Sequence, residues 1–291
     1  MSLYKKIQEF SFESAIKISG VASIFIVALI FFFLLKEGIQ LFMTENLLTF
    51  LSGRSWYPIS DPPEFGILPL ILGTLLVTLG AALIAIPLGI AAAVYIAEVA
   101  PGRTKEILKS GIELLAAIPS VVLGFIGMVT IVPWTKALFH TPTGLTAFSG
   151  SVILAFMAMP TIVSIAEDAL HNVPKSYKEG AYALGATQWQ TIYRVILPSA
   201  SSGIVAAVML GIGRVVGETM AVMMVTGNSP SMPSSFLSPV RTLTATVAAE
   251  MGETVQGSDH YFALFAIGIV LFLITMLINL SADLFLHRER R

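Results

Sequence analysis

The chain has 291 residues, of which 55% are hydrophobic and only 12% are charged, and its formal net charge is −1. Soluble globular domains carry charge on about a quarter of their residues, so this composition excludes an ordinary soluble domain and is typical of a membrane protein. The near-neutral charge does not favour a nucleic-acid partner, and the lack of cysteine excludes disulfides and thiolate metal sites.

Six apolar runs are candidates for transmembrane helices, which need about 20 residues to cross a bilayer. The first is too long for a signal-peptide core and has no small-residue cleavage site behind it, so we expect it to be retained. We predict an all-α polytopic membrane protein with six transmembrane helices. The predicted spans are 18–35, 67–97, 111–132, 150–165, 196–226 and 261–286.

These spans divide the chain into three parts. Residues 1–66 comprise an N-terminal cytoplasmic segment, the first span and an outward loop. Residues 67–286 form a core of five spans with a polar segment, 167–198, inserted between the fourth and fifth, and residues 287–291 form a basic tail. Six spans place both termini on one side, and the termini and connections of that side hold twelve of the 17 Lys and Arg residues. The positive-inside rule therefore predicts cytoplasmic termini.

The polar segment 167–198 is predicted to be a helix-turn-helix standing off the membrane. The residues that recur at helical spacing are Val173, Tyr177, Ala181 and Leu184. Gly185 is placed to end this helix, and Thr187 is placed to cap the next one. Its apolar stripe is not needed to cross the bilayer and suits a groove on a partner protein. An interfacial helix lying on lipid headgroups is an equally good interpretation from physics alone.

The fifth span carries two charges, Arg214 and Glu218, four residues apart. In a continuous helix they share one face, and Gly213 and Gly217 repeat the spacing in a pattern that allows a neighbouring helix to approach closely. An ionised group at membrane depth costs about 3 kcal/mol on insertion scales and usually faces a protein interior or a polar pathway. We therefore predict a substrate pathway at this pair; the alternative is a structural ion pair that joins two helices.

Weaker candidates surround this pair. Thr219 follows Glu218, and Ser120 offers a hydroxyl just after the helix-breaking Pro119, although a kink that is satisfied internally is the alternative. Glu167 and Asp168 are expected to face water. The four His residues are scattered over different loops and predict no metal site. We find no catalytic constellation and no ATP-binding motif, so neither a catalytic residue nor a cofactor is expected in this chain.

Two groups of motifs resemble known transport proteins. Glu179-Gly180-Ala181, then Gly185, then Val195-x-Leu197-Pro198 resembles the EAA loop of binding-protein-dependent ABC importer permeases, with Gly180 in place of an Ala and Val195 in place of an Ile. The resemblance implies that Glu179, Gly180, Ala181 and Gly185 couple the chain to a separate ATPase subunit.

The second group points to the phosphate-specific (Pst) permeases. Ile118-Pro119-Ser120-Val121-Val122-x-Gly124 is similar to a stretch of these permeases, and Gly213-Arg214-x-x-Gly217-Glu218-Thr219, followed by Gly227-Asn228, is most like their C-type subunit. The likeness extends from about Phe65 to the carboxyl terminus. It implies the fold of an ABC type I importer permease (MetI-like) in a bacterial or archaeal plasma (inner) membrane.

The resemblance also implies partners and a cargo. The partners are an A-type second permease, a dimer of ATP-binding subunits that hold ATP and Mg²⁺, and an extracytoplasmic phosphate-binding protein. Arg214 offers phosphate a planar fork of donors, and Glu218 is expected to hold the guanidinium when no substrate is present. The alternatives are sulfate or molybdate as cargo, a proton-coupled carrier using Glu218, and an intramembrane enzyme. The helix-turn-helix has no role in the last two.

Overall fold

The computed structural model describes the backbone of residues 3–289 and the side chains of residues 12–281. Within this part the regular elements are helices and one two-stranded antiparallel hairpin, β1 (Trp56–Tyr57) and β2 (Glu64–Phe65), and loops connect them. The predicted basic tail, 287–291, and Lys5 and Lys6 lie outside the residues whose side chains are described. The helices are α1 (Leu3–Gly38), α2 (Leu47–Ser52), α3 (Leu68–Val94), α4 (Gly102–Ala116), α5 (Ser120–Phe139), α6 (Ala147–His171), α7 (Lys175–Ala183), α8 (Gln188–Thr191), α9 (Leu197–Ser199), α10 (Ser201–Val216), α11 (Met220–Val225), α12 (Leu243–Glu250) and α13 (Asp259–Glu289).

Six membrane spans can be assembled from these helices. Five stretches are long and apolar enough by themselves, and the sixth is a pair, Gln188–Ser199 and Ser201–Val216, bent by 70°. The predicted all-α architecture is therefore confirmed, with a broken fifth span. The five unbroken stretches are Phe12–Met43, Leu68–Val99, Ser120–Phe139, Ala147–His171 and Asp259–Ser281.

The third span differs from its predicted range of 111–132, because residues up to Ala116 belong to α4 and the span begins at Ser120. The α4 helix is amphipathic and buries none of its residues completely. Pro119, with an extended backbone, separates α4 from α5, since proline disfavours helical geometry in the residue before it and lacks an N–H donor. Proline at this position marks the start of the span rather than a kink within it.

Two further predicted ranges are corrected by the structure. The fourth span extends from Ala147 to His171 rather than over 150–165. The fifth, predicted over 196–226, is interrupted near Ala200 and again at residues 217–219, between α10 and α11. Hydropathy alone does not reveal these breaks, because the residues on both sides are apolar. The hairpin and α12 were also not predicted.

The centre of the bundle is built on α6. The α10 helix runs antiparallel to it: a Cβ added at Gly203 would lie 2.4 Å from the Ala169 side chain, and one at Gly211 would lie 2.5 Å from Ile162. Gly203, Ala207 and Gly211 follow at four-residue intervals and form one small-residue ridge. This ridge allows the two backbones to approach closely.

The α1 and α13 helices form an antiparallel pair. Phe31 stacks on Phe272 with ring centroids 4.6 Å apart, and further along α1 a Cβ at Gly38 would touch the backbone of Ala266. Both ends of the chain therefore lie on the same side of the bundle, which we call the termini side. The hairpin, α2 and α12 lie on the opposite side, where Trp56, Leu243 and Leu264 share one hydrophobic cluster.

Candidate functional site

Arg214 lies in the last turn of α10, near the middle of the helical layer. Its Nη1 donates a hydrogen bond to Thr161 Oγ1 at 3.2 Å, and Thr161 is close to the midpoint of α6. The Arg214 side chain is exposed on the surface of the single chain. The neighbouring Val215 and Val216 are buried, so the guanidinium is held at the edge of the packed face of α10 and directed away from the core.

The expected pairing of Arg214 with Glu218 is wrong for this conformation. The α10 helix ends at Val216, and the chain turns at Gly217 before α11, so a spacing of four residues does not place the two side chains on one helical face. Glu218 Oε1 accepts a hydrogen bond from the Ala221 backbone N–H at 3.1 Å, and the Glu218 carbonyl accepts one from the Thr244 hydroxyl at 2.8 Å. Among the described residues, Arg214 forms no ion pair.

Gly213 and Gly217 do not form the close helix contacts of this chain. A Cβ added at Gly213 would meet no atom within 4 Å, and one at Gly217 would approach only carbonyl oxygens of its own helix. The contact with α6 uses Gly203 and Gly211 instead. Packing of Gly213 and Gly217 against a second subunit stays a prediction, since both lie on the accessible side of α10.

The two kinds of glycine give a matched test. Gly211→Ala would place its Cβ 2.5 Å from the buried side chain of Ile162, and overpacking of this kind costs about 1–3 kcal/mol. We expect a lower midpoint of thermal unfolding for the purified chain in detergent. Gly213→Ala has open space and a better helix propensity, so it should not lower the midpoint. Equal effects of the two substitutions would contradict this packing.

The other two pathway candidates lie near the break between α10 and α11. The Thr219 hydroxyl donates to the Gly217 carbonyl at 3.3 Å. Ser120 is half-buried at the first position of α5, and one turn later a Cβ at Gly124 would lie 2.9 Å from Ala221 Cα. The structure thus brings the start of α5 beside α11, and no hydrogen bond joins the four candidate side chains.

Thr161 is a site residue that the sequence reasoning missed. Many hydroxyls in the spans donate to the backbone carbonyl four residues earlier, which satisfies them within their own helix. Thr161 instead accepts from Arg214, and no hydrogen bond to its own helix is formed. Its position directly after Pro160 in an apolar span was the available signal. Hydroxyls that do bond to their own helix include Thr74, Thr130, Ser151, Thr226 and Thr275.

The polar segment 167–198 contains the predicted helix-turn-helix. The α7 helix is followed by Gly185, whose φ of +81° favours glycine over any residue with a side chain. Thr187 caps α8 by accepting from the Gln190 N–H, while the Gln190 side chain accepts from the Thr187 N–H. The predicted end of the first helix and cap of the second are both confirmed.

This segment presents a large apolar surface to its surroundings. Leu184 is 90% exposed, Trp189 is 68% exposed and Tyr177 is 52% exposed, whereas Val173 is buried against the bundle. Glu179 and Gly180 are exposed on α7. The predicted stripe is therefore divided: its first member anchors the segment, and the rest is available to a partner.

Comparison with known proteins identifies the architecture. Residues 85–291 match the family model described as the binding-protein-dependent transport system inner membrane component. The chain belongs to this family. It is a multi-pass permease of ABC importers, of the MetI-like type.

Individual relatives extend the similarity over most of the permease. This permease is 42% identical to the probable ABC transporter permease protein YqgH of Bacillus subtilis, over 84% of this chain and 80% of the relative. It is 37% identical to the phosphate transport system permease protein PstC of Mesorhizobium japonicum, over 82% of this chain and 78% of that protein. PstC of Haemophilus influenzae is 35% identical, over 84% of this chain and 82% of its own length.

Solved structures share the fold at lower identity. A bacterial alginate ABC transporter crystallised with an alginate-bound periplasmic protein superposes with a TM-score of 0.66 at 17% identity, covering 98% of the permease and 97% of that chain. The inward-facing MetNI methionine ABC transporter superposes with a TM-score of 0.61 at 21% identity, covering 80% of the permease and 100% of that chain. These similarities show the fold alone.

On the termini side, a buried carboxylate joins α4 to α6 in the permease. Glu167, expected to face water, is only 3% exposed and forms ion pairs with Lys105 at 2.9 Å and Lys109 at 2.8 Å. Asp168 is exposed, as expected, and lies 3.5 Å from Lys109. The hydrogen bond to Glu167 is the largest cause that raises the pKa of Lys109 above its usual value of 10.5, so Lys109 stays charged at physiological pH. Glu167 was expected to face water, and this was wrong because α6 extends past residue 165 and α4 packs against it.

On the opposite side, another carboxylate joins three parts of the permease. Glu250, at the end of α12, accepts hydrogen bonds from Trp56 Nε1 at 3.1 Å and from His260 at 2.9 Å, and it forms an ion pair with Arg241. These residues line an open cavity of about 770 Å³. In the described part of the chain, no cluster of three His, Asp or Glu side chains could hold a metal ion.

Proposed function

We propose that this permease conducts inorganic phosphate inward and that Arg214 lies on the route. The observation that carries the proposal is the position of the guanidinium: near the middle of the helical layer, exposed, with a neutral hydroxyl as its only hydrogen-bond partner among the described residues. Such a cation needs a counter-charge from outside its own chain, because an unneutralised charge at this depth is costly.

An oxyanion substrate is well matched to this group. A guanidinium has five N–H donors in a planar fork, suited to two phosphate oxygens at once, and one of them is used by Thr161. The remaining donors can replace part of the hydration shell of phosphate. The Thr161 hydroxyl keeps its own proton available for a substrate oxygen. Arg214 and Thr161 therefore form a small polar site among apolar residues, which we call the Arg214 station.

The role of Glu218 is revised accordingly. Its carboxylate is engaged at the start of α11, so we assign it the task of holding the break beside Arg214. Release of phosphate by competition from Glu218 would require this backbone to rearrange. Ser120 and Thr219 remain proposed hydroxyls of the route, at the two elements that flank the break.

The partners follow from the same proposal. The termini side, with its excess of Lys and Arg, is cytoplasmic, and a dimer of ATP-binding subunits docks on the exposed surface around Glu179 and Leu184. ATP and Mg²⁺ are bound by those subunits rather than by this chain. An A-type second permease covers the face that carries Gly213 and Gly217. An extracytoplasmic phosphate-binding protein delivers phosphate to the opposite side. The PstC relatives support this choice of cargo.

Reconstitution tests the proposal. The chain is co-expressed with candidate second-permease and ATPase subunits and purified through a tag on the chain, and the complex is placed in proteoliposomes with the phosphate-binding protein. We expect co-purification of both subunits, ATP hydrolysis stimulated by the phosphate-loaded binding protein, and phosphate uptake that requires ATP. Uptake of sulfate or molybdate in place of phosphate, or uptake driven by a pH gradient without ATPase, would overturn it.

A further inference from the structure

We propose that Glu98 is a positioning residue that fastens the coupling segment, α7 to α8, to the membrane span α3. This inference rests on the proposed coupling of that segment to a separate ATPase. Glu98 lies in a π-helical turn, Tyr95–Val99, that continues α3 on the termini side. Such wide turns concentrate at functional sites because they redirect side chains that an α-helix would place elsewhere.

One residue holds both helices of the coupling segment. Lys178 Nζ of α7 lies 2.6 Å from Glu98 Oε1, and the Gln188 side chain of α8 donates to the Glu98 backbone carbonyl at 3.0 Å. The Glu98 side chain is only 8% exposed and the Lys178 side chain 26% exposed. A charge pair this sheltered resists screening by salt, and removing either partner leaves the other charge poorly compensated.

The contacts of Glu98 matter because apolar packing between α3 and the coupling segment is incomplete. Beside Glu98, a groove of about 530 Å³ separates Ile90 and Val94 of α3 from Trp189 and Tyr193. Deeper in the bundle, contact is restored, since Ile96 shares a hydrophobic cluster with the residues around Ile192. The outer part of the coupling segment is therefore attached to α3 through Glu98 rather than through a continuous apolar interface.

The α3 helix connects this attachment to the rest of the permease. Near its termini-side end, Gly89 packs against Ile162, the neighbour of Thr161. At its other end, Thr74 Oγ1 accepts a hydrogen bond from the Leu243 N–H at 3.0 Å, and Gly73 lies against the Arg241 carbonyl. A movement of the coupling segment that is transmitted through Glu98 would thus reach both the Arg214 station and the opposite-side cluster.

Charge exchange tests this role. Glu98→Lys, Lys178→Glu and the double exchange are each assembled with the ATPase, the second permease and the binding protein in proteoliposomes. The readout is phosphate taken up per ATP hydrolysed, which a merely structural residue would not change in an assembled complex. We expect each single variant to lower this ratio at least about fivefold, within the usual range of coupling between sites, and the double exchange to restore most of it. Glu106→Lys, at an exposed carboxylate of α4, is the matched control and should keep the ratio.

Two results would overturn the proposed role of Glu98. A single variant that assembles and keeps the unmodified ratio overturns the proposal, and so does a double exchange that assembles without recovery. If the charge reversals prevent assembly, Glu98→Gln and Lys178→Met are measured by the same ratio, and an assembled variant of either kind that keeps the unmodified ratio overturns the proposal. Failure of the proposed function is visible separately, because the unmodified complex would then lack ATP-dependent phosphate uptake.

Discussion

Arg214→Lys is expected to lower phosphate uptake by about tenfold to a hundredfold in a complex that still assembles. Lysine keeps the positive charge but replaces a planar fork of donors by one compact ammonium group. It therefore loses simultaneous contact with Thr161 and with two oxygens of the substrate. Hydrogen bonds to charged groups contribute about 1.5–3 kcal/mol each, which gives this range of rates. The measurement is the initial rate of ATP-dependent uptake of labelled phosphate.

The control for this substitution is Arg103→Lys, at an exposed arginine of α4, which should leave uptake unchanged. Co-purification of the partner subunits and the rate of basal ATP hydrolysis show whether the complex is intact. Normal uptake by the Arg214→Lys complex would remove Arg214 from the route. We expect an assembled complex with lowered uptake and retained basal hydrolysis.

Glu250→Ala is expected to destabilise the opposite side of the permease by about 2–4 kcal/mol. The substitution leaves Arg241 without its carboxylate and removes the acceptor of Trp56 and His260. These side chains are largely buried, so the lost hydrogen bonds are replaced only in part by water. We expect a lower midpoint of thermal unfolding in detergent and faster proteolysis of the loop that follows α12.

Glu253→Ala provides the comparison, because Glu253 lines the same cavity but is exposed and forms no ion pair in the described part of the chain. Its midpoint should equal that of the unmodified permease. A similar loss of stability in both variants would mean that general loss of negative charge, and not the Glu250 contacts, explains the effect.

Local signals in the sequence were sufficient for part of this structure. The length of each apolar run predicted six spans, and Gly185 and Thr187 predicted the end and start of two helices because positive φ and side-chain caps depend on neighbouring residues alone. The motif around Glu179 predicted that the chain is an ABC importer permease, and the family match shows that it is. These features need no knowledge of distant contacts.

The details of the site could not be predicted in this way. A long apolar run is compatible with one continuous helix, so the break at residues 217–219 and the engagement of Glu218 by α11 were not visible. Thr161 and Arg214 are 53 residues apart in sequence, and Glu98 and Lys178 are 80 apart. Their contacts depend on how α3, α6 and α10 pack, which hydropathy and periodicity do not specify.

The proposed transport function requires a water-accessible route past Arg214 and Thr161. Because the chain has no cysteine, an introduced cysteine is the only labelling site in this subunit, and Thr161→Cys places it on the route. In the assembled, active transporter we predict modification of this cysteine by a charged, membrane-impermeant thiol reagent, slowed by phosphate, while Leu83→Cys on the exposed face of α3 stays unlabelled. A Thr161→Cys transporter that takes up phosphate and yet never reacts, at any stage of ATP turnover, would show that phosphate does not pass Arg214 and Thr161.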